Sequence, residues 1–161
     1  MKNTTGIKSP KWALAVGAIV LIAALGLRLH QYWQDRREVA VEVTVGAAKY
    51  VAEVADTDRK KELGLGERDS LAVGTAMYFP MSSTEFWVFW MKGMRFPIDI
   101  VWISEGKIVD ISRRAPAPRS GEEPATFSPA SPADAILEVN AGEAEKYGWK
   151  RGDEVMIKAK S

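Results

Sequence analysis

Two stretches decide the fold class: Phe86-Trp87-Val88-Phe89-Trp90-Met91 and, after a short break, Ile98-Asp99-Ile100-Val101-Trp102-Ile103. Both are short, rich in aromatic and β-branched side chains, and bounded by Gly93 and Pro97, so they read as strands rather than helices. Side chains of a strand alternate between its two faces. In residues 85–91 this sets Phe86, Val88 and Trp90 on one face and Trp87, Phe89 and Met91 on the other. Residues 98–103 are also apolar on both faces. Strands of this kind are expected in the middle of a sheet, covered by a helix or a second sheet.

Working outward, residues 39–45 and 49–55 are β-rich runs around Gly46, a hairpin. Asp56-Thr57-Asp58 caps a short helix over residues 59–63, which Gly64 ends. Residues 76–79 form a further strand. Residues 98–103 and 107–111 flank the tight turn Glu105-Gly106. Residues 113–132 hold five of the chain's eight prolines and read as a long surface loop. Residues 135–139 are a strand. Asn140-Ala141-Gly142-Glu143 reads as a capping box, with Asn140 as N-cap of a helix that Gly148 stops. Residues 154–158 close the chain. The expectation is a mainly β (α+β) domain over residues 39–161. It is a compact, mainly antiparallel barrel or sandwich with two short helices.

The N-terminal part is a different object. The chain has 161 residues and a formal charge of +1, but residues 1–38 hold six Lys/Arg against two Asp/Glu. Behind the basic segment 1–11, residues 12–27 carry no charge. Extended to residue 29 they span about 27 Å as a helix, against a bilayer core of about 30 Å. Trp12, Tyr32 and Trp33 stand where an aromatic belt belongs. The expectation is a transmembrane signal anchor over residues 12–29 and a juxtamembrane linker over 30–38. The N-terminus would be cytoplasmic and the domain extracytoplasmic. Secretion after signal cleavage is the alternative, with Ala24-Leu25-Gly26 a poor cleavage site.

Composition narrows the chemistry. There is no Cys and one His, His30, which precedes the domain. Thiolate catalysis and Cys-ligated metals are excluded, and no His-based triad falls within residues 39–161. No metal or cofactor is expected. The balanced charge, with Arg59-Lys60-Lys61 flanked by Asp58 and Glu62, argues against nucleic acid as a partner. Eight of the fifteen aromatics lie between Tyr78 and Trp102, dense enough to fill a core or line an apolar pocket. Asp99 interrupts an apolar strand and needs a partner if buried, with Lys92 and Arg95 the candidates nearest in sequence. Glu138, between Leu137 and Val139, is a second carboxylate of the same kind. Two carboxylates can perform acid–base work, given the right separation.

Taken together, Phe89-Trp90-Met91-Lys92, Pro97-Ile98-Asp99-Ile100, Gly106-Lys107-Ile108-Val109, Leu137-Glu138-Val139-Asn140-Ala141-Gly142 and Gly152-Asp153 resemble the domain of unknown function 192 family. Val54-Ala55-Asp56-Thr57, Gly64-Leu65 and Ala76-Met77-Tyr78-Phe79 follow the same order upstream. The resemblance covers about residues 41–157. It implies a small β-rich domain, often behind a signal sequence or anchor, and no defined reaction. The chain departs from the family pattern after Lys92, where Gly93-Met94 replaces the usual Asn-Thr. The expected function is a membrane-tethered binding module for a small molecule, glycan or peptide of the cell envelope. Trp90, Lys92, Asp99, Glu138 and Asn140 are its candidate ligand contacts. The alternatives are a hydrolase using Asp99 and Glu138, and a structural envelope protein that binds partners through loop 113–132.

Overall fold

The structure is a computed structural model that describes residues 16–17, 20–28 and 39–159. The chain divides into two units, one up to Arg37 and one from Glu38 onward. In the first, residues 20–28 are helical. Among the described residues no helix is long and apolar enough to cross a membrane. Of the expected span over residues 12–29, residues 12–15, 18–19 and 29 lie outside the described residues. The basic segment 1–11, the linker 30–38, and the flanking Trp12, Tyr32 and Trp33 lie wholly outside them.

The second unit is mainly β. Its elements are β1 (Ala40–Val45), β2 (Ala48–Val54), α1 (Asp58–Leu63), β3 (Thr75–Glu85), β4 (Phe89–Trp90), β5 (Ile98–Ser104), β6 (Lys107–Ala115), β7 (Thr126–Phe127), β8 (Ala133–Asn140), α2 (Glu143–Lys146) and β9 (Val155–Ala159). Seven strands form one sheet in the order β6-β5-β8-β3-β2-β1-β9, and β4 pairs with β7 in a separate ribbon. The sheet curls until its edges meet. Ile108 N–H donates to Asp153 O (2.9 Å) and Val155 N–H to Gly106 O (2.8 Å), so the start of β6 touches the run into β9. The result is a curled, half-closed barrel. All strand pairs are antiparallel except β2–β3, which are parallel and joined through α1. A parallel pair needs such a crossover, because no tight turn can reverse the chain twice.

The local devices follow the sequence. Thr57 Oγ1 accepts the N–H of Lys60, and Gly64, at φ 52°, returns its N–H to Lys60 O and ends α1. Glu105 and Gly106 both have positive φ and make the two-residue turn whose twist suits a hairpin. One expected cap fails. The N-cap of α2 is Gly142 at φ 90°, with no side-chain hydrogen bond. Asn140 still belongs to β8 and donates its amide to Leu71 O (3.0 Å). The Glu143 carboxylate does not reach back, since it accepts the Tyr50 hydroxyl at 2.7 Å.

The central sheet is buried on both sides, so the domain has two cores. Val101, Ile103, Leu137 and Val139 face one, with Ala144 and Trp149 behind α2. Ile98, Ile100, Trp102 and Ile136 face the other, with Phe79, Met91 and Met94. This matches the double-sided apolar pattern of residues 98–103. The same expectation fails for residues 85–91. Of these, only Phe89 and Trp90 form β4, outside the main sheet. Trp87 and Phe89 pack against the second core, whereas Phe86, Val88 and Trp90 are 60 %, 68 % and 46 % exposed. The alternation is real, but only one face is covered. In the expected loop 113–132, β6 extends to Ala115 and β7 supplies the partner of β4.

Candidate functional site

The site is built around Glu138. In β8 it lies opposite Ile100 of β5 and Met77 of β3, so its side chain shares their face of the sheet. The residue is 5 % exposed, and its Oε2 has no hydrogen-bond partner. Burial disfavours the charged carboxylate and pushes its pKa up to about 8. Arg68 pulls the other way, but its guanidinium is bonded to Glu53 at 2.6 Å. Glu138 therefore holds its proton at neutral pH.

Above it opens a pocket of about 320 Å³. Phe79, Met81, Trp87, Phe89, Trp90 and Met94 form its apolar walls, Leu63 and Leu65 its helical side, and Asp58, Lys61, Glu62 and Lys92 also line it. The order of the walls comes from ring packing. Phe89 sits edge-on to Phe79 (5.0 Å) and to Trp102 (5.5 Å), and Trp87 is fixed by its indole N–H to Ala133 O (3.0 Å). Two glycines make the space. A Cβ on Gly64 would lie 3.6 Å from the Phe79 ring and 3.7 Å from Glu138 Oε2, so its absence keeps the carboxyl open to the pocket. At Gly66 a Cβ would fall 2.7 Å from Leu63 O and 3.1 Å from Lys92 O. Only glycine lets the chain after α1 pass so close to the chain after β4, where Glu67 N–H donates to Gly93 O (2.8 Å). At the mouth, Lys92 Nζ lies 4.6 Å from the centre of the Trp90 ring, a cation–π contact.

Of the residues singled out in the sequence, Trp90, Lys92 and Glu138 meet at this pocket. Asp99 and Asn140 are not among its lining. Asp99 is fully buried, but its expected partners are not Lys92 and Arg95. Its Oδ1 accepts Arg114 N–H (2.8 Å), and its Oδ2 accepts Gly142 N–H (3.0 Å) and Ala144 N–H (2.9 Å). Backbone amides are better partners for a buried carboxylate than a long cation, since they are already ordered and cost no side-chain entropy. Asp99 thus ties the turn into α2 to the irregular end of β6, where Arg114 has φ 51°. Arg95 bonds Asp69 at 2.5 Å, far out in solvent. The sequence reading missed the contribution of α1, Met81, Met94 and the two glycines. The spacing Gly64-Leu65-Gly66 was the available signal: two glycines around a buried Leu mark a close approach rather than a flexible loop.

Among the described residues no group of three or more His, Asp or Glu is arranged to hold a metal ion. The polar equipment of the pocket is one protonated carboxyl inside and a balanced set of charges around it. That suits binding through an apolar body and a single deep hydrogen bond.

Comparison with known proteins agrees with this architecture. No curated protein matches the chain. Two solved structures are similar. One is a protein of unknown function from Novosphingobium aromaticivorans, 29 % identical, with a TM-score of 0.63 over 74 % of this chain and 84 % of that one. The other, from Sinorhizobium meliloti, is described as a proposed transcription regulator. It is 26 % identical, with a TM-score of 0.64 over 75 % of this chain and 94 % of that one. The family model of DUF192, "Uncharacterized ACR", matches residues 40–157, which hold the pocket and all but the last two residues of the curled sheet, and the chain belongs to that family.

Proposed function

We propose that the domain is a binding module for a small, mostly apolar molecule bearing one polar group, held at the cell envelope by its N-terminal segment. The observation that carries this reading is Glu138 Oε2, buried without a partner at an aromatic pocket. An unmet polar atom in a core costs stability, about 1–3 kcal/mol. A ligand that meets it recovers that cost. Asp99 and Asn140 serve as framework in this reading, through the turn into α2 and the contact to Leu71. The extracytoplasmic placement rests on the sequence alone, on the basic segment 1–11 and the apolar run behind it.

The geometry gives the hydrolase alternative little support. Asp99 pairs with Val139 and Glu138 with Ile100. Neighbours along a strand point to opposite faces, so the two carboxylates lie on opposite sides of the sheet and cannot flank one bond. The test is a small-molecule screen on the full chain, read by tryptophan fluorescence. Hits should weaken at least tenfold in Trp90→Ala and Glu138→Leu, with melting curves that stay cooperative. Hits indifferent to both variants, or no hits at all, overturn the reading. Protease protection of the domain in intact cells tests the placement.

A further inference from the structure

The pocket's inner chemistry selects a class of ligand. A glycan needs many hydrogen-bond partners, and the interior offers one, the Glu138 carboxyl. Around it stand the aromatic rings of Phe79, Trp87, Phe89 and Trp90. Aromatic faces and a desolvated carboxylate have one ligand in common, an organic cation, which is attracted to ring faces and neutralises the acid. One of these rings already holds an ammonium group, since the chain's own Lys92 Nζ sits 4.6 Å from the Trp90 ring centre. Among the described residues no cation bonds Glu138 Oε2, and the guanidinium of Arg68 is bonded to Glu53.

We propose that the pocket recognises an organic ammonium group, which enters between the aromatic walls and takes Glu138 Oε2 as its counter-ion. This rests on the small-ligand reading above and deepens it. The same chemistry occurs in a free alkylamine and in the lysine side chain of a peptide.

Binding is then coupled to a proton. Free Glu138 is protonated at neutral pH, so an arriving cation is met by a carboxylate only once that proton leaves to solvent. The other charged groups around the site are Asp58, Lys61 and Glu62 on and beside α1, Lys92 after β4, and the Arg68–Glu53 pair from the loop after α1 and β2. The facing positions on β3 and β5 are apolar, Met77 and Ile100. Glu138, buried on the inner face of the sheet, supplies the titration near pH 8.

The experiment is calorimetry on the full chain with tetramethylammonium, n-butylammonium and the peptide Gly-Lys-Gly. Tert-butanol and n-butanol serve as neutral counterparts. Affinity for the ammonium probes should rise about ninefold from pH 6 to 7, about fivefold more to pH 8, and less than about twofold beyond. At pH 7 close to one proton should be released per ligand, read from the dependence of the heat on the buffer. Glu138→Gln should flatten the profile and weaken binding at least tenfold. Whichever of butylammonium and the peptide binds more tightly names the source. If the alcohols bind as well as the ammonium probes, with a flat pH profile, the ammonium proposal is overturned and the small-ligand reading stands. If neither set binds and the screen also finds no ligand, both fail.

Discussion

Replacing Glu138 by Gln should make this protein more stable, by an amount that grows with pH. In the folded domain burial holds the carboxyl at about 8, against an ordinary 4.5. Between these values the folded state keeps a proton that the unfolded chain releases. The unfolded state binds fewer protons, so stability falls as pH rises. Each pH unit in the window is worth about 1.4 kcal/mol. The penalty is absent below pH 4.5, reaches about 3 kcal/mol at pH 7 and levels near 5 kcal/mol above pH 8. Glutamine keeps the shape and the hydrogen-bonding capacity of the protonated acid but does not titrate. The stability difference between Glu138→Gln and the natural chain should therefore widen by about 2.5 kcal/mol from pH 5 to 7. Urea unfolding at five pH values between 5 and 9 reads this directly, as a relative midpoint displacement of about 1–2 M. Taking the difference cancels the other carboxylates, whose titration both proteins share. Profiles that run parallel across the range would refute the argument. They would mean that Glu138 is met by solvent or a partner in the folded state, and its role at the floor of the pocket would go with it.

The framework predictions differ in sign. Asp99→Ala leaves three backbone N–H groups without an acceptor. It should cost about 3 kcal/mol or more and lower the melting temperature by about 10 °C; an unchanged melt would show that those amides find water. Gly66→Ala drives a Cβ against two backbone oxygens. A loss of about 1–3 kcal/mol is expected, together with a change in Trp90 fluorescence as the chain after β4 is pushed aside. Arg68→Met breaks a half-exposed pair with Glu53 and should change stability by less than about 1 kcal/mol. It also removes the one charge that lowers the Glu138 pKa, so the midpoint of the pH-dependent stability difference should move up.

How far the sequence could be read depended on whether a pattern was local. The turns at Gly46 and Glu105-Gly106, the cap at Thr57 and the stop at Gly64 all depend on residues within four positions, and each appears where expected. The burial of residues 98–103 was legible because an apolar run on both faces has few other uses. Residues 86–91 carry almost the same pattern and ended elsewhere. Their partner is β7, a two-residue strand inside a proline-rich stretch that nothing local marks as a strand. The parallel β2–β3 pair was equally hidden, since it depends on the path of the chain through α1 and not on composition. At the site, Trp90 and Lys92 were legible as a dense aromatic segment with a charge set in it. The wall from α1 was not, because a six-residue helix with three basic residues and one leucine looks like a solvated surface.

Asp99 and Glu138 show why a carboxylate flanked by apolar residues cannot be assigned from its neighbours in sequence. Both sit in the two adjacent central strands, one register step apart, and both are buried. That one step sends them to opposite faces, and what covers each face decides the rest. Asp99 points toward the chain entering α2, where a helix start presents free N–H groups. A carboxylate there is met by Gly142 and Ala144, and a third time by Arg114 at the end of β6, and becomes a fastening. Glu138 points toward a face where the N–H groups of Gly64, Gly66 and the Trp87 indole are already bonded to Lys60 O, Leu63 O and Ala133 O, and its Oε2 is left without a donor. The carboxyl left unmet is the one with something to offer a ligand, and it was not put there for stability. A leucine at position 138 would pack against Ile100, Met77 and Phe79 and keep the sheet intact without any orphaned atom. Holding an acid there costs the fold several kcal/mol above pH 7. A site that has kept such a cost is more economically explained by a use for the charge than by the packing of the sheet.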